Sequence, residues 1–524
     1  MIEALLNTEN VPSELHRLIQ EKVEGNPFYL EEVTNSLIES KAIVCAGGRW
    51  RITRQITEQG ISSTIHGVIG ARLDRLEKET KRILQEASVI GRSFFYEILK
   101  RVTDLKKNID DRLSSLERLD FIKARSLDPD LEYVFKHALT QEVVYDGLLI
   151  KERQTIHERV ANVIEEIFQD RLPEFYETMA FHFKQGKSIK KAVKYLMKSG
   201  EKSIKRYAVK ESHKYYEEGF TILKEKLDKN NVDNELLIDL LIKWAYVFYY
   251  NGDFNGLIDL LNSHKNLAAS LDDKGKNGMF NGWLGFAYWM SGECDTAYSF
   301  LCKALDLGEE TGNQEVIGYA CCWLVYNAAE LGMLEDAAKF GERAHEISKR
   351  YRSDHYLYFK PLAGVALTGY FSGEVSKTFE LGEKILKYGQ NHSNIRSMAL
   401  GHTSMGISHM ASGDLISASE CFQKAIKIVA DPVYSIYAKT FLGPTQLLLG
   451  RIEDAEITLR EPVVFWREFG YGAPGSYAYA FYGIAKIMQG EMNKGLKMIE
   501  EAISFCKNNG RKSVHASLEY TMGW

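Results

Sequence analysis

The side chains with the clearest chemical potential in this sequence are its histidines and cysteines, which bind metals and act as acids, bases or nucleophiles. The 524 residues include 13 histidines and 7 cysteines, and no two cysteines have C-x-x-C spacing. His402 and His409 stand two turns apart on one predicted helix face, but a metal site needs further ligands nearby. Solvent-facing or packed histidines are therefore favoured, and no metal site is predicted. The odd cysteine count, mostly inside predicted helices, indicates reduced thiols in a cytoplasmic protein.

Signatures of catalysis are missing from the sequence. It contains no G-x-x-x-x-G-K-[ST] phosphate loop and no G-x-S-x-G nucleophile elbow. Gly70 and Gly91 are isolated glycines without phosphate-loop spacing, and no apolar strand ends in paired acids that would hold magnesium. The sequence therefore predicts a protein that is not an enzyme and that holds no cofactor by itself.

A ladder of glycines organises the C-terminal two thirds. Its seven members are separated by 40, 40, 41, 40, 37 and 40 residues: Gly252, Gly292, Gly332, Gly373, Gly413, Gly450 and Gly490. Mostly small residues precede each glycine by seven positions and follow it by five, as Gly285 and Ala297 do around Gly292. Each unit is thus predicted as two closely packed helices joined at a left-handed glycine. The spacing resembles the tetratricopeptide repeat, whose usual period is shorter, about 34 residues.

Composition bounds the class of protein. The net charge is −5 and the pI about 6.3, so the chain has no overall positive charge that would favour binding to nucleic acid or to an anionic membrane. Apolar residues make up 45% and charged residues 26%, as in ordinary globular proteins of more than one domain. No signal peptide and no apolar run of about 18 residues is present, so no membrane partner is predicted. The lysine-rich stretch 187–205 is interpreted as a solvated helix face.

The N-terminal third lacks the ladder. Helices are predicted over 14–21, 27–40, 65–76, 80–90, 94–102, 109–119 and 140–149, and an extended piece over 49–52. Two strand-like pieces, 122–125 and 133–136, flank the turn-rich 127–130. Helices followed by a two-stranded hairpin indicate a winged helix. DNA binding is not expected, because the candidate recognition helix 109–118 carries three acids, Asp110, Asp111 and Glu117.

Four ordered stretches in this third carry a family resemblance. They are Glu24-Gly-Asn-Pro-Phe-Tyr-Leu-Glu-Glu32, then Ser62-Ser-Thr-Ile-His-Gly-Val-Ile-Gly-Ala-Arg-Leu-Asp-Arg-Leu76, Ala87-Ser-Val-Ile-Gly-Arg-Ser-Phe94 and Tyr133-Val-Phe-Lys-His-Ala-Leu-Thr-Gln-Glu-Val-Val-Tyr-Asp-Gly-Leu148. They resemble motifs of bacterial STAND signal-transduction ATPases, the predicted ATPases associated with adenylate/guanylate cyclase or kinase domains. In that family they belong to the helical lid of the ATPase and to the following winged helix, and helical repeats come next.

The resemblance implies two nucleotide-contact residues. Pro27 corresponds to the proline that packs against adenine, and His137 to a nucleotide-sensing histidine of related switch ATPases. Two other roles stay open: Pro27 as the first residue of a helix, and His137 as a packing or capping residue. The phosphate loop lies upstream of the Gly-x-Pro motif in the family, so ATP or ADP is expected only if another segment or chain supplies that core.

These observations predict a mainly α chain: a helical lid remnant (1–78), a winged-helix-like domain (79–170) and a tetratricopeptide-like α-solenoid (171–524) with an incomplete last repeat. The predicted function is a non-catalytic sensor and protein-interaction module of a STAND-type ATPase, lacking the phosphate-loop core. The alternatives are a free-standing repeat adaptor and a fragment of a maltose-regulator-type transcription activator. The expected partner is a protein, a peptide or a small inducer in the repeat groove, and also a nucleotide-binding core or a cyclase or kinase domain. Tyrosines around Tyr246–Tyr250 and Tyr351–Phe359 are candidates for that contact or for helix cores.

Overall fold

The chain divides into two compact units, residues 1–199 and 200–524. The computed structural model describes residues 2–6, 8, 11–17, 26–46, 49–53, 64–105, 108–126, 130–226, 231–351, 353–469 and 472–522. Residues 127–129 of the predicted turn, the glycines at 25, 47 and 48, and residues 18–21 of the predicted helix 14–21 lie outside the described residues. Each unit is described by itself.

Unit 1 combines helices with two small sheets. Its helices are Ile2–Leu5, Pro27–Glu39, Ile65–Asp74, Lys78–Ile90, Tyr96–Val102, Ile109–Arg118, Ala138–Asp146, Ile150–Ile167, Tyr176–Gln185 and the start of Ile189–Lys205, with a 3-10 turn at Gln169–Glu174. Pro27 is the first residue of its helix, and Asn26 caps it by accepting hydrogen bonds from the amides of Phe28 and Tyr29. The strands Ile43–Ala46 and Arg49–Ile52 pair as an antiparallel hairpin over a small core of their own.

The winged helix has three strands, one more than predicted. Ile122–Ser126 and Glu132–Phe135 pair as expected, and Ser93–Phe95 adds to the other edge of Glu132–Phe135. The predicted start of a helix at Phe94 is therefore wrong: Phe94 is a strand residue, and the helix begins at Tyr96. The strand Ser93–Phe95 buries Phe94 against Tyr133 and Phe135, which holds the sheet on the core formed with the surrounding helices.

Unit 2 consists of consecutive antiparallel helices. They are the end of Ile189–Lys205, then Val209–Glu225, Asn231–Asn251, Phe254–Asn262, Lys265–Ala269, Lys274–Ser291, Cys294–Thr311, Gln314–Glu330, Leu334–Ser348, His355–Ser372, Val375–Asn391, Ile395–Ala411, Leu415–Ile428, Pro432–Leu448, Ile452–Phe469, Gly472–Met488, Met492–Asn508 and Lys512–Met522. Successive helices pack on each other as repeat pairs. The predicted mainly α solenoid is confirmed.

The glycine ladder ends the first helix of each pair. All seven glycines have φ between 75° and 96°, the left-handed region that L-residues with a Cβ rarely adopt. The amide after each glycine bonds back five residues, as Glu293 N does to Tyr288 O at 2.9 Å, which is the Schellman arrangement. The small residues allow close helix contact: a Cβ at Gly443 would lie 2.3 Å from Leu459 Cγ. Between the helices Tyr176–Gln185 and Ile189–Lys205, the left-handed turn residue is Lys187, directly after Gly186.

The solenoid of unit 2 curls so that its later helices contact helices well before them in the sequence. The hydroxyl of Tyr249 donates to that of Tyr434 at 2.7 Å, and Ser513 Oγ donates to Ala329 O at 2.7 Å. The amide of Cys294 donates to Asn509 O at 3.2 Å. The residues that make these contacts are called the seam below: Tyr249, Cys294 and Ala329 on one side, and Tyr434, Asn509 and Ser513 on the other.

Candidate functional site

The four motifs of the N-terminal third meet in unit 1, and Arg72 is the residue that joins two of them. Its guanidinium is 1% exposed and donates to Glu32 at 2.6 Å, to Glu39 at 2.9 Å and to the carbonyl of Leu119 at 2.6 Å. It also lies 4.5 Å above the ring of Phe121. Burial raises the pKa of Glu32 above its ordinary value, against the opposing effect of Arg72.

The two predicted nucleotide-contact residues are brought into one neighbourhood. The ring of Phe28, which follows Pro27, lies 4.0 Å from the imidazole of His137. His137 Nε2 is 3.2 Å from a carboxylate oxygen of Glu31. The ammonium of Lys136 pairs with the same Glu31 carboxylate and lies 2.7 Å from Asp120. Burial alone would lower the pKa of Lys136, but the carboxylates of Asp120 and Glu31 raise it above its ordinary value.

This arrangement does not by itself fit a nucleotide phosphate. The nitrogen groups that could contact a phosphate, the ammonium of Lys136 and the imidazole of His137, both face the carboxylate of Glu31. A carboxylate at that position repels a phosphate unless a metal ion or further cations intervene. The structure also bears on the two alternative roles. Pro27 is the first residue of its helix, and His137 is the N-cap residue of Ala138–Asp146, although its side chain makes no capping hydrogen bond.

A buried histidine pair that the sequence did not indicate lies elsewhere in unit 1. The Nδ1 atoms of His157 and His182 are 2.8 Å apart, and Tyr145 Oη is 2.9 Å from His157 Nε2. One set of neutral tautomers satisfies this chain: Tyr145 donates to His157, His157 donates to His182, and His182 bonds the backbone of Ile90. Burial lowers the pKa of His157 to about 4 and that of His182 to about 3.

This pair makes unit 1 sensitive to acid. In the unfolded chain His182 binds a proton below about pH 6.5, whereas in the folded chain it stays neutral down to about pH 3. The folded state therefore loses stability as the pH falls through this range. His182 alone accounts for about 3 kcal/mol by pH 4. We expect His182→Asn, which retains a polar group near Nδ1, to flatten the pH dependence of urea unfolding between pH 6.5 and 4. The exposed His66→Asn is the control, and equal pH profiles for both variants would contradict the pair's role.

In unit 2 the tyrosine-rich segments lie inside the solenoid. Tyr249 and Phe359 are 3% and 1% exposed, and Trp323 Nε1 donates to Tyr356 Oη at 3.0 Å. Tyr246 Oη donates to Tyr319 Oη at 2.9 Å. These aromatics form the core between repeats, and the same core extends to the wall of an interior cavity.

The interior cavity lies behind the seam and has a volume of about 70 Å³. Its wall is rich in aromatic residues, and its charged lining residues are Glu330, Lys360 and Arg511. Arg511 Nε donates to Glu330 Oε2 at 2.8 Å, and these side chains are 1% and 6% exposed. Trp289 Nε1 donates to the other oxygen of Glu330 at 3.1 Å. Glu330 and Arg511 therefore neutralise each other across the seam.

Other sequence candidates are placed as follows. His409 lies 3.4 Å from Asp414, while burial lowers the pKa of His402. Among the described residues, no group of three or more His, Cys, Asp or Glu side chains is arranged to hold a metal ion. The seven cysteines are free thiols, and Cys45 is exposed. Within the described ranges, no helix is long and apolar enough to cross a bilayer.

The architecture is that of a winged-helix unit followed by a tetratricopeptide-like α-solenoid. It is similar to the solved Signal Transduction ATPase with Numerous Domains (STAND) protein with a tetratricopeptide repeat sensor from Pyrococcus horikoshii. The TM-score is 0.58 at 16% identity, over 99% of this chain and 74% of that one. This likeness confirms the predicted resemblance at the level of the fold.

Two other solved structures resemble the solenoid more weakly. A Rap protein complexed with competence and sporulation factor aligns over 63% of this chain and 96% of its own, at 11% identity and a TM-score of 0.46. NprR in complex with its cognate peptide NprX aligns over 63% and 99%, at 12% identity and a TM-score of 0.45. Neither likeness is strong enough to bear on function. No family model and no curated protein matches the sequence.

Proposed function

We propose that this chain is a non-catalytic sensor module of a STAND-type switch. The solenoid of unit 2 binds a peptide or a small inducer, and the lid and winged-helix elements of unit 1 pass this event to a nucleotide-binding core supplied elsewhere. The observation that carries the proposal is the cavity behind the seam, which has a charged and aromatic lining. A repeat array used only as a spacer has no need of an interior cavity lined by three charged residues.

Signalling requires that the ligand prefer one packing of the repeats over another. In our proposal the repeats have two packings. In the closed packing, as in this structure, the contacts of the seam are made, and in the open packing the later helices are released from the earlier ones. A ligand that enters behind the seam changes the balance between them by its difference in affinity for the two.

The experiment is recovery of the natural ligand. The chain is purified under gentle conditions from the cells in which it occurs, and compounds released on denaturation are identified by mass spectrometry. We expect one peptide or small molecule at near-equal stoichiometry. The variant Thr440→Trp should lose this ligand, because Thr440 is a buried residue of the cavity wall and the larger tryptophan side chain fills the cavity. Circular dichroism checks that the variant folds. A wild-type chain that carries no ligand, and whose melting temperature no peptide or small-molecule fraction of those cells changes, would overturn the proposal.

The proposal also sets an expectation for nucleotides. This chain alone should not bind ATP or ADP tightly, because its sequence has no phosphate loop and the carboxylate of Glu31 faces both Lys136 and His137. Isothermal titration calorimetry with each nucleotide and Mg²⁺ checks this. A submicromolar dissociation constant would contradict the division between sensor and core.

A further inference from the structure

Lys360 is a buried cation without a counter-ion. It is 8% exposed, and among the described residues no carboxylate lies within 4 Å of its ammonium. Aromatic rings surround it instead: its Nζ is 4.8 Å from the ring centroid of Tyr326, 5.4 Å from that of Tyr434 and 6.0 Å from that of Trp289. Cation–π contacts offset only part of the cost of removing an ammonium from water.

The other charged groups near Lys360 are already paired. Glu330 pairs with Arg511 across the cavity. Asp431, which acts on Lys360 from the segment before Pro432, pairs with Arg396. Cys322 faces Lys360 from the neighbouring helix, and burial holds the pKa of its thiol well above the ordinary value, so it stays neutral. The cavity therefore carries one uncompensated positive charge.

A larger pocket adjoins the cavity. Its volume is about 910 Å³, and it shares Tyr370, Phe371 and Tyr477 with the cavity wall. None of its described lining residues carries a charge, and Leu448 and Tyr520 on it are 63% and 71% exposed. An apolar outer pocket thus borders a small inner cavity in which Lys360 is the cation that no carboxylate pairs with.

We propose that this pair of cavities binds a ligand with one carboxylate at its end and an apolar body, with Lys360 as the counter-ion of the carboxylate. The proposal rests on the proposed sensing function and names the chemistry of its ligand. A monoanion matches one unpaired ammonium, whereas a dianion such as phosphate would leave a negative charge buried. The inner cavity has room for a carboxylate but not for an apolar body, which belongs in the outer pocket.

A fatty-acid-like molecule and the free C-terminus of an apolar peptide share this chemistry. The probes are therefore decanoate and its neutral analogue decanamide, and a set of N-acetylated apolar tetrapeptides with free or amidated C-termini. Binding to the full chain is measured by calorimetry. We expect one class of carboxylate probe to bind at least tenfold more tightly than its neutral analogue, a difference of about 1.4 kcal/mol. If decanoate shows this preference, the ligand is fatty-acid-like. If the tetrapeptides show it, the ligand is a peptide C-terminus.

The matched variant is Lys360→Met, which keeps the length of the side chain and removes the charge. We expect it to lose the preference for carboxylates while its melting temperature rises by a few degrees, because an uncompensated buried ammonium is removed. If Lys360 served only to stabilise the fold, the melting temperature of Lys360→Met would fall instead. The control is Lys377→Met on an exposed helix face, which should change neither quantity.

The pH dependence gives a second readout. Burial lowers the pKa of Lys360 to about 8, and Asp431 and Cys322 oppose this effect. A carboxylate binds the protonated form, so its affinity should fall about tenfold per pH unit above pH 8. Equal affinities for charged and neutral probes, no binding by any carboxylate, or an unaffected Lys360→Met would overturn the inference. If the recovered natural ligand has no carboxylate, the sensing function stands and this inference alone fails.

Discussion

Replacing Arg511 by Met is expected to destabilise the closed solenoid of unit 2 by about 3–5 kcal/mol. The substitution leaves the carboxylate of Glu330 buried beside Trp289 without its cation. Such a carboxylate must either protonate or regain water, and both changes weaken the contact that it made with Arg511 across the seam. Urea unfolding followed by tryptophan fluorescence measures the effect, because Trp289 and Trp323 lie in this core.

Two further variants separate the buried pair from a general loss of charge. Lys512→Met removes a positive charge from the neighbouring exposed position and should cost less than about 1 kcal/mol. Arg511→Met combined with Glu330→Gln should recover much of the lost stability, since neither position of the former pair then carries an unpaired charge. A loss for Arg511→Met no larger than that for Lys512→Met would show that the pair does not hold the seam.

Arg72→Met in unit 1 has an expected cost of similar size, about 3–5 kcal/mol. Arg72 is the shared donor for Glu32, Glu39 and the carbonyl of Leu119, so its removal leaves several acceptors unsatisfied at once. Arg75→Met is the matched control. Arg75 lies one helical turn away, is more than one third exposed and is 3.8 Å from Glu39, so its loss should cost less than about 1 kcal/mol.

The measurement is guanidinium unfolding of the full chain, followed by far-UV circular dichroism and hydrogen exchange of the amides of unit 1. Arg72→Met should lower protection in the helices Pro27–Glu39 and Ile65–Asp74, while unit 2 keeps its protection. Equal protection in both variants would mean that Arg72 does not organise the meeting of the motifs.

The solenoid was predictable because its signal is local. A left-handed turn demands glycine, and closely packed helices demand small side chains, so each repeat carries its own pattern in sequence. The winged helix was predictable except for the strand Ser93–Phe95. Three residues are too few to show alternation, and the helical spacing that begins at Tyr96 extends back over Phe94.

The sites were less predictable, because they depend on contacts between residues far apart in sequence. Arg511 and Glu330 are separated by 181 positions, and nothing near either residue indicates its partner. In the sequence, Lys360 is a lysine on an apolar helix with no nearby sign of a special role. Its aromatic surroundings come from residues on other helices. The resemblance suggested that Pro27 and His137 share a site, and the structure places Phe28, next to Pro27, against His137. Their contact with a nucleotide, the domain limits 1–78, 79–170 and 171–524, and the need for a core elsewhere stay predictions.

The most direct test of the closed sensor is the distance between the two sides of its seam. Genetically encoded spin labels at exposed positions 303 and 507 avoid reaction with the exposed Cys45 and report the separation by electron double resonance. The wild-type chain should give one narrow, short distribution, and Arg511→Met a broader one that extends to longer distances. A narrow and unchanged distribution in Arg511→Met, alongside a clear loss of stability, would contradict the account, because the seam would then not open separately from unfolding.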